Sequence, residues 1–351
     1  MRDELDRPLP VELLGSIDTH PQLVLGSAAE QWSRSTTCVL ATLDGEFVAF
    51  DRASLLAGKP TPVDRWPREP GAMAALTPTG TTLIVAGAES IRAMSGDRIL
   101  WEHRHARWAV QGVRGPGLSP ALGAPPAVSP DGTQVSVLVA GASTRSDDRT
   151  VWSTWLLLDT VTGDVLAEHR LGFPTLEVTQ RWHSDSRHLT VSRWIDWESW
   201  VTLYVDLTEQ PLRTRWIRNM REITDLLTPT RLLSLRRAEY IAGTDDDRAD
   251  VGIHQLIGSQ ECELARLDVL HLGGGFNEEP HDVRKLGVDH VLFSPGACHL
   301  LLGAEHLRPL GRLDYPDDRV GPHIAPLPAG TWLTVDVNEG GMSRLRHWRL
   351  A

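Results

Sequence analysis

The chain has 351 residues, 41% hydrophobic and 23% charged, with a formal net charge of −11. That length can bury a large core, and the acidic balance argues against a nucleic-acid binder that neutralises phosphates. No run of 18 apolar residues offers a membrane span, and the charged start, MRDELDRPLP, lacks the apolar stretch of a signal peptide. The three cysteines, Cys38, Cys262 and Cys298, are far apart and show no Cys-x-x-Cys spacing. This predicts a reducing, cytoplasmic setting without a disulfide framework or a structural zinc site. Lys59 and Lys285 are the only lysines among many arginines, as expected of a GC-rich bacterial genome.

Taken in chain order, the elements repeat. CVLATLDGEFVAFDRASL (38–55) reads as strands around an Asp-Gly turn. AALTPTGTTLIVAG (74–87) reads as a strand, a Thr-Pro-Thr-Gly turn and a second strand, followed by SGDRILWEHR (95–104). AVSPDGTQVSVLVAG (127–141) has the same form: Pro130 fixes φ, Asp131 bonds its own backbone, and Gly132 takes φ > 0. LLLDTVTGDVL (156–166) follows it. QRWHSDSRHLTVSRW (180–194) keeps the shape with Ser-Asp-Ser at the turn, and LYVDLTEQPLRTRW (203–216) follows. LLTPTRLLSLRR (226–237) is a degenerate copy, then HQLIGSQECELARLDV (254–269). VLFSPGACHLLLGAEH (291–306) keeps Ser-Pro-Gly, and WLTVDVNEGGMSRLRHW (332–348) comes last.

From Thr77 to Ser129, His183, Thr228 and Ser294 the steps are 52, 54, 45 and 66 residues. Short, two-periodic, turn-bounded strands with little helix predict an all-β chain. The period fits a blade of four antiparallel strands plus variable loops, hence a β-propeller. Six blades are expected, over roughly 21–68, 71–106, 123–171, 175–218, 221–269 and 286–351. The count becomes seven if the first or last segment holds another. Residues 1–20 are expected as an extension or closing strand, and 21–351 as a single propeller domain.

These motifs resemble the TolB-type, WD-repeat-like β-propeller family. The resemblance lies in the Ser-Pro-Asp-Gly turn before a hydrophobic strand, and in a later strand ending in Asp before Thr-Gly, as in LLLDTVTGDVL. It covers most of the chain and is strongest at 74–104, 126–171 and 180–207. The same repeat builds the propellers of prolyl-oligopeptidase-like peptidases, but no Gly-x-Ser-x-Gly nucleophile elbow occurs here. The resemblance implies a fold and leaves function to be argued from a site.

Strands A to D of a blade run outward from the channel. A–B and C–D turns share one face; B–C loops and D-to-A crossovers share the other. The A–B and C–D turns here are tight. The long segments are expected B–C loops at 141–153, 193–200, 237–252 and 304–330, and crossovers at 105–126 and 271–290. One face should therefore carry the binding loops.

Three groups on those loops are candidates. Asp-Asp-Arg recurs at 147–149, 246–248 and 317–319. Asp147, Asp148, Asp246, Asp247, Asp317 and Asp318, with Tyr315 alongside, could ring a cation or a basic partner. The plainer reading is Asp capping a turn while its Arg pairs nearby. Trp194, Trp197 and Trp200 could form a recognition patch; the plainer reading leaves only Trp197 exposed. His271, Glu278 and His281 combine imidazole and carboxylate as a divalent-cation or acid/base site would, although a Gly-rich polar loop gathers such residues without purpose. Its Gly-Gly-Gly is not a phosphate loop, because no Gly-Lys-Ser/Thr follows.

The sequence thus points to a non-catalytic interaction module. It binds a protein or peptide, a basic one by charge, with no cofactor, nucleic acid or membrane. The alternative is a small-molecule enzyme, a lactonase-like hydrolase or biosynthetic cyclase, with a channel-mouth site and a divalent cation as its one candidate cofactor.

Overall fold

A computed structural model describes residues 4, 7–18, 38–43, 45–57, 59, 61–108, 124–141, 153–171, 177–196, 199–209, 212–219, 221–236, 249–258, 260–272, 282–296, 298–316, 320–337 and 343–351. Two compact units are distinguished. One comprises Met1–Ser33, Arg52–Thr61 and Asn219–Ala351; the other comprises Arg34–Asp51 and Pro62–Arg218.

The second unit is built of antiparallel sheets in chain order. The first has three strands, β2 (Cys38–Leu43), β3 (Glu46–Asp51) and β4 (Pro62–Pro67). Three four-stranded sheets follow: β5 (Met73–Leu76) to β8 (Arg98–Arg104), β9 (Ala127–Val128) to β12 (Val165–Arg170), and β13 (Glu177–Trp182) to β16 (Arg213–Asn219). Between them lie β6 (Leu83–Ala86), β7 (Ser90–Ser95), β10 (Gln134–Ala140), β11 (Ser153–Asp159), β14 (His188–Asp196) and β15 (Ser199–Asp206).

Burial explains the strand patterns. Middle strands such as β10 and β11 are buried almost throughout, while β8 and β12, last in their sheets, are mostly exposed. A strand covered on both faces reads as an apolar run rather than an alternation. In β10, Val135, Val137 and Val139 pack with Ile84, Ile91 and Trp101 of the preceding sheet. Leu138 packs the other way, with Trp182, Leu189 and Val191 of the following sheet. Polar groups in that second seam are paired: Trp155 donates to Ser136 Oγ at 2.7 Å, Ser136 donates to Gln180, and Gln180 donates to the Pro125 carbonyl.

The first unit repeats the plan. One sheet runs β17 (Glu222–Thr228), β18 (Arg231–Arg236), β19 (Asp250–Ile257) and β20 (Gln260–Asp268). An eight-stranded sheet contains β21 (Asp282–Leu286), β22 (His290–Ser294), β23 (Leu300–Gly303), β24 (Pro309–Asp314), β1 (Pro8–Asp18), β27 (Ser343–Leu350), β26 (Thr331–Val337) and β25 (His323–Leu327), in that spatial order. Two antiparallel groups, β21–β24 and β25–β27, are joined by β1. Pro8–Pro10 pair parallel to β24, and Val11–Asp18 pair antiparallel to β27. A five-residue helix, α1 (Arg52–Leu56), also belongs to this unit.

Three expectations are corrected. The segment 271–290, expected as a crossover, holds β21 and the turn into β22, so the Ser-Pro-Gly connection after Ser294 joins a second strand to a third. The segment 304–330 is no single loop. A tight turn closes at 304–308, with the Gly303 N–H donating to the Arg308 carbonyl at 2.9 Å, and β24 and β25 follow. Nor is 193–200 a long loop: Trp194 pairs with Trp200, and Asp196 with Ser199, in the β14–β15 hairpin.

Candidate functional site

The turns joining first to second strands share a scaffold. At 129–134 the Ser129 Oγ donates to Asp131 Oδ1 at 2.6 Å, and the same oxygen accepts from the Thr133 N–H and hydroxyl. Gly132, at φ +77°, makes the reversal. The turn at 183–188, between β13 and β14, places His183, Asp185, Ser186 and His188 where the first has Ser129, Asp131, Gly132 and Gln134. Here Asp185 Oδ1 does the stapling, accepting from the Arg187 and His188 N–H groups at 2.8 and 3.2 Å. Ser186 sits at φ 59° in the glycine position, and its Oγ accepts from the Asp131 N–H at 2.9 Å, tying the two turns together.

The other Asp185 oxygen faces two imidazoles. Oδ2 lies 3.1 Å from His183 Nδ1 and 2.7 Å from His188 Nδ1. Both rings are largely buried and Asp185 is about a third exposed. His188 stacks on Tyr204 at 6.2 Å, and its Nε2 lies 3.4 Å from Asp206 Oδ1. Asp206 is itself fixed by the Thr208 N–H and hydroxyl. Burial acts to raise the Asp185 pKa, but the Arg187 N–H and the imidazoles outweigh it and hold the carboxyl below its usual value. Burial also raises the Tyr204 pKa, so the phenol stays protonated.

A second polar constellation lies within β17–β20 and the residue before it. Asp250 is fully buried between Arg221 and Arg266, with Arg266 Nη2 at 2.8 Å from its Oδ2. Beside it His254 bridges Glu261 and Ser234 at 2.9 Å each. Burial raises the Asp250 pKa against the pull of the arginines and lowers that of Arg221. A Cβ on Gly252 would approach Arg221, His254 and Ser234 within 3 Å, so glycine makes room for this network. Its groups pair with one another around the buried Asp250, the arrangement of a structural ion-pair network.

The sequence-predicted residues are placed as follows. Trp200 is buried on β15; Trp194 lies opposite it on β14. Tyr315 is half-buried: His299 Nδ1 lies 2.6 Å from its hydroxyl, the Trp332 indole donates to it at 3.1 Å, and its ring meets Trp348 edge-on at 4.7 Å. Trp197, Asp147, Asp148, Asp246, Asp247, Asp317, Asp318, Glu278 and His281 lie outside the described residues. His271 falls in a short 3-10 turn, Val269–Leu272. The turn at 183–188 was legible only as a strand connection. Its signal is the spacing His-x-Asp-x-x-His, which brings three donors together once the chain reverses at Ser186. Apart from these clusters, an open groove of ≈ 540 Å³ is lined by Leu14, Val288, Ala329, Arg349 and neighbours.

No protein-family model and no curated protein matches the chain. Among solved structures it is similar to the β-propeller domain of Cps50 (Swd1) from Myceliophteria thermophila. The TM-score is 0.52 at 12% identity, over 97% of this chain and 100% of that one. At that identity the likeness speaks to fold alone, and with the sheets described above it supports a WD-repeat-like β-propeller.

Proposed function

We propose that the chain is a non-catalytic interaction module of the TolB-type propeller kind, binding a protein or peptide on the face of its B–C loops and crossovers. The observation that carries this is the asymmetry of connections. The turns at 77–82, 129–134 and 183–188 are short and internally bonded, whereas the sequence stretches joining β10 to β11 and β18 to β19 are long and polar. A rigid scaffold with elaborated loops on one side is how such folds recognise partners. The Asp-Asp-Arg repeats and a net charge of −11 favour a basic partner over nucleic acid. We read the sheets as seven blades, the seventh being β25–β27 completed by β1, in a protein that works in the cytoplasm.

The test is a capture experiment on cell extract, with the bound protein identified, comparing the wild-type chain with the double variant Trp197→Ala/Asp246→Asn. The variant should capture at least about tenfold less of that partner at an unchanged melting temperature. Equal capture would overturn the reading.

A further inference from the structure

We propose that His183, Asp185 and His188 bind one zinc ion at the β13–β14 turn. Their donor atoms, one from each, lie within 4.8 Å of one another. The two imidazole-to-carboxylate distances, 3.1 and 2.7 Å, approach the ~3.3 Å edge of a tetrahedron with bonds of ~2.0 Å.

Comparison with the turn at 129–134 separates this donor set from the needs of the fold. There a single carboxylate oxygen, Asp131 Oδ1, completes the staple. In the 183–188 turn Asp185 Oδ1 does that work, and Oδ2 with two Nδ1 atoms is left to converge. The His188 Nδ1 hydrogen bond to Oδ2, 2.7 Å long, spans the point that a cation would occupy in place of the bridging proton.

His188 is also set up as metal-binding histidines are. Its far nitrogen, Nε2, meets the Asp206 carboxylate, and its ring lies on Tyr204, so Nδ1 is aimed at the shared point. A carboxylate behind the ring orients a ligating histidine and raises its basicity. Two imidazoles and one carboxylate suit zinc rather than calcium or magnesium, which prefer all-oxygen sets. Partial exposure at Asp185 gives the ion an entry path and leaves water as the fourth ligand.

The test is calorimetric titration of the chelator-treated full chain with zinc chloride. One saturable site is expected, undisturbed by excess magnesium. His183→Ser and His188→Gln put into this turn the residues of the 129–134 turn, so the scaffold should persist. Each should lose at least ~100-fold in zinc affinity, and Asp206→Asn about 10–100-fold. Cobalt on the wild-type chain supplies a measurement independent of any variant, because a four-coordinate site gives intense visible bands. No saturable zinc binding, wild-type affinity in His183→Ser and His188→Gln, or only the pale spectrum of octahedral cobalt would each overturn the proposal.

Discussion

The turns at 129–134 and 183–188 have one backbone plan and two chemistries. In the first, hydroxyls close the turn on one carboxylate oxygen, and the Asp131 N–H reaches across to Ser186. In the second, the outer positions carry imidazoles, and a serine stands where glycine is the easy choice. A fold needs only the first arrangement. The second adds a second carboxylate contact, a ring stack and a bond to its neighbour. The difference shows how a repeat can carry a donor set without changing its frame.

Removing the shared carboxylate should separate the two turns most. Asp131→Ala takes away an acceptor for one N–H and two hydroxyls, of which the Ser129 hydroxyl is buried and the Thr133 groups are exposed. It should lower stability by about 1–2 kcal/mol. Asp185→Ala also strands two largely buried imidazoles, at roughly 1–3 kcal/mol for each buried group left unpaired, so a loss of about 3 kcal/mol is expected. Urea unfolding with chelator present checks both. Equal losses would mean that the imidazoles gain nothing from Oδ2.

A third turn sharpens the comparison. His299 closes the connection from β22 to β23, a second strand to a third, and meets the Tyr315 hydroxyl instead of a carboxylate. Burial pushes its pKa down from 6.5 to about 4, against backbone hydrogen bonds at Gly321 and Pro322. Between those two values the unfolded chain holds the proton and the folded chain does not, so stability falls as pH falls. From pH 7 to pH 5 this residue should remove about 2 kcal/mol, a slope missing from His299→Gln. Parallel unfolding series at the two pH values decide it; identical slopes would place His299 in water.

The fold was legible because turn chemistry is local. Pro130, Asp131 and Gly132 declare a reversal wherever they occur, and matched copies set the period. The same logic failed at 304–330. Leu307 takes φ 54° there without a glycine to announce it, and Pro309, Pro326 and Pro328 make β24 and β25 resemble loop. Pro309 begins its strand and Pro326 lies on the edge strand β25, the places where a sheet tolerates proline. The histidine cluster was hidden for another reason. His183, Asp185 and His188 look like turn punctuation until the reversal at Ser186 brings their side chains to one point.

The smallest effect concerns that reversal. Left-handed φ costs a residue with a Cβ about 1–2 kcal/mol relative to glycine. Gly132→Ala should pay this in full, because its new Cβ would also crowd Pro78 Cδ at 3.1 Å. Ser186→Gly relieves the same strain but gives up the hydroxyl that accepts the Asp131 N–H, so the two terms nearly cancel. A net change within about 0.5 kcal/mol is expected for Ser186→Gly, against a loss of about 1–2 kcal/mol for Gly132→Ala. If Ser186→Gly is instead stabilising by more than about 1 kcal/mol, the bond to Asp131 contributes nothing. The two turns would then be independent of each other, and the serine would be retained for something other than the link between sheets.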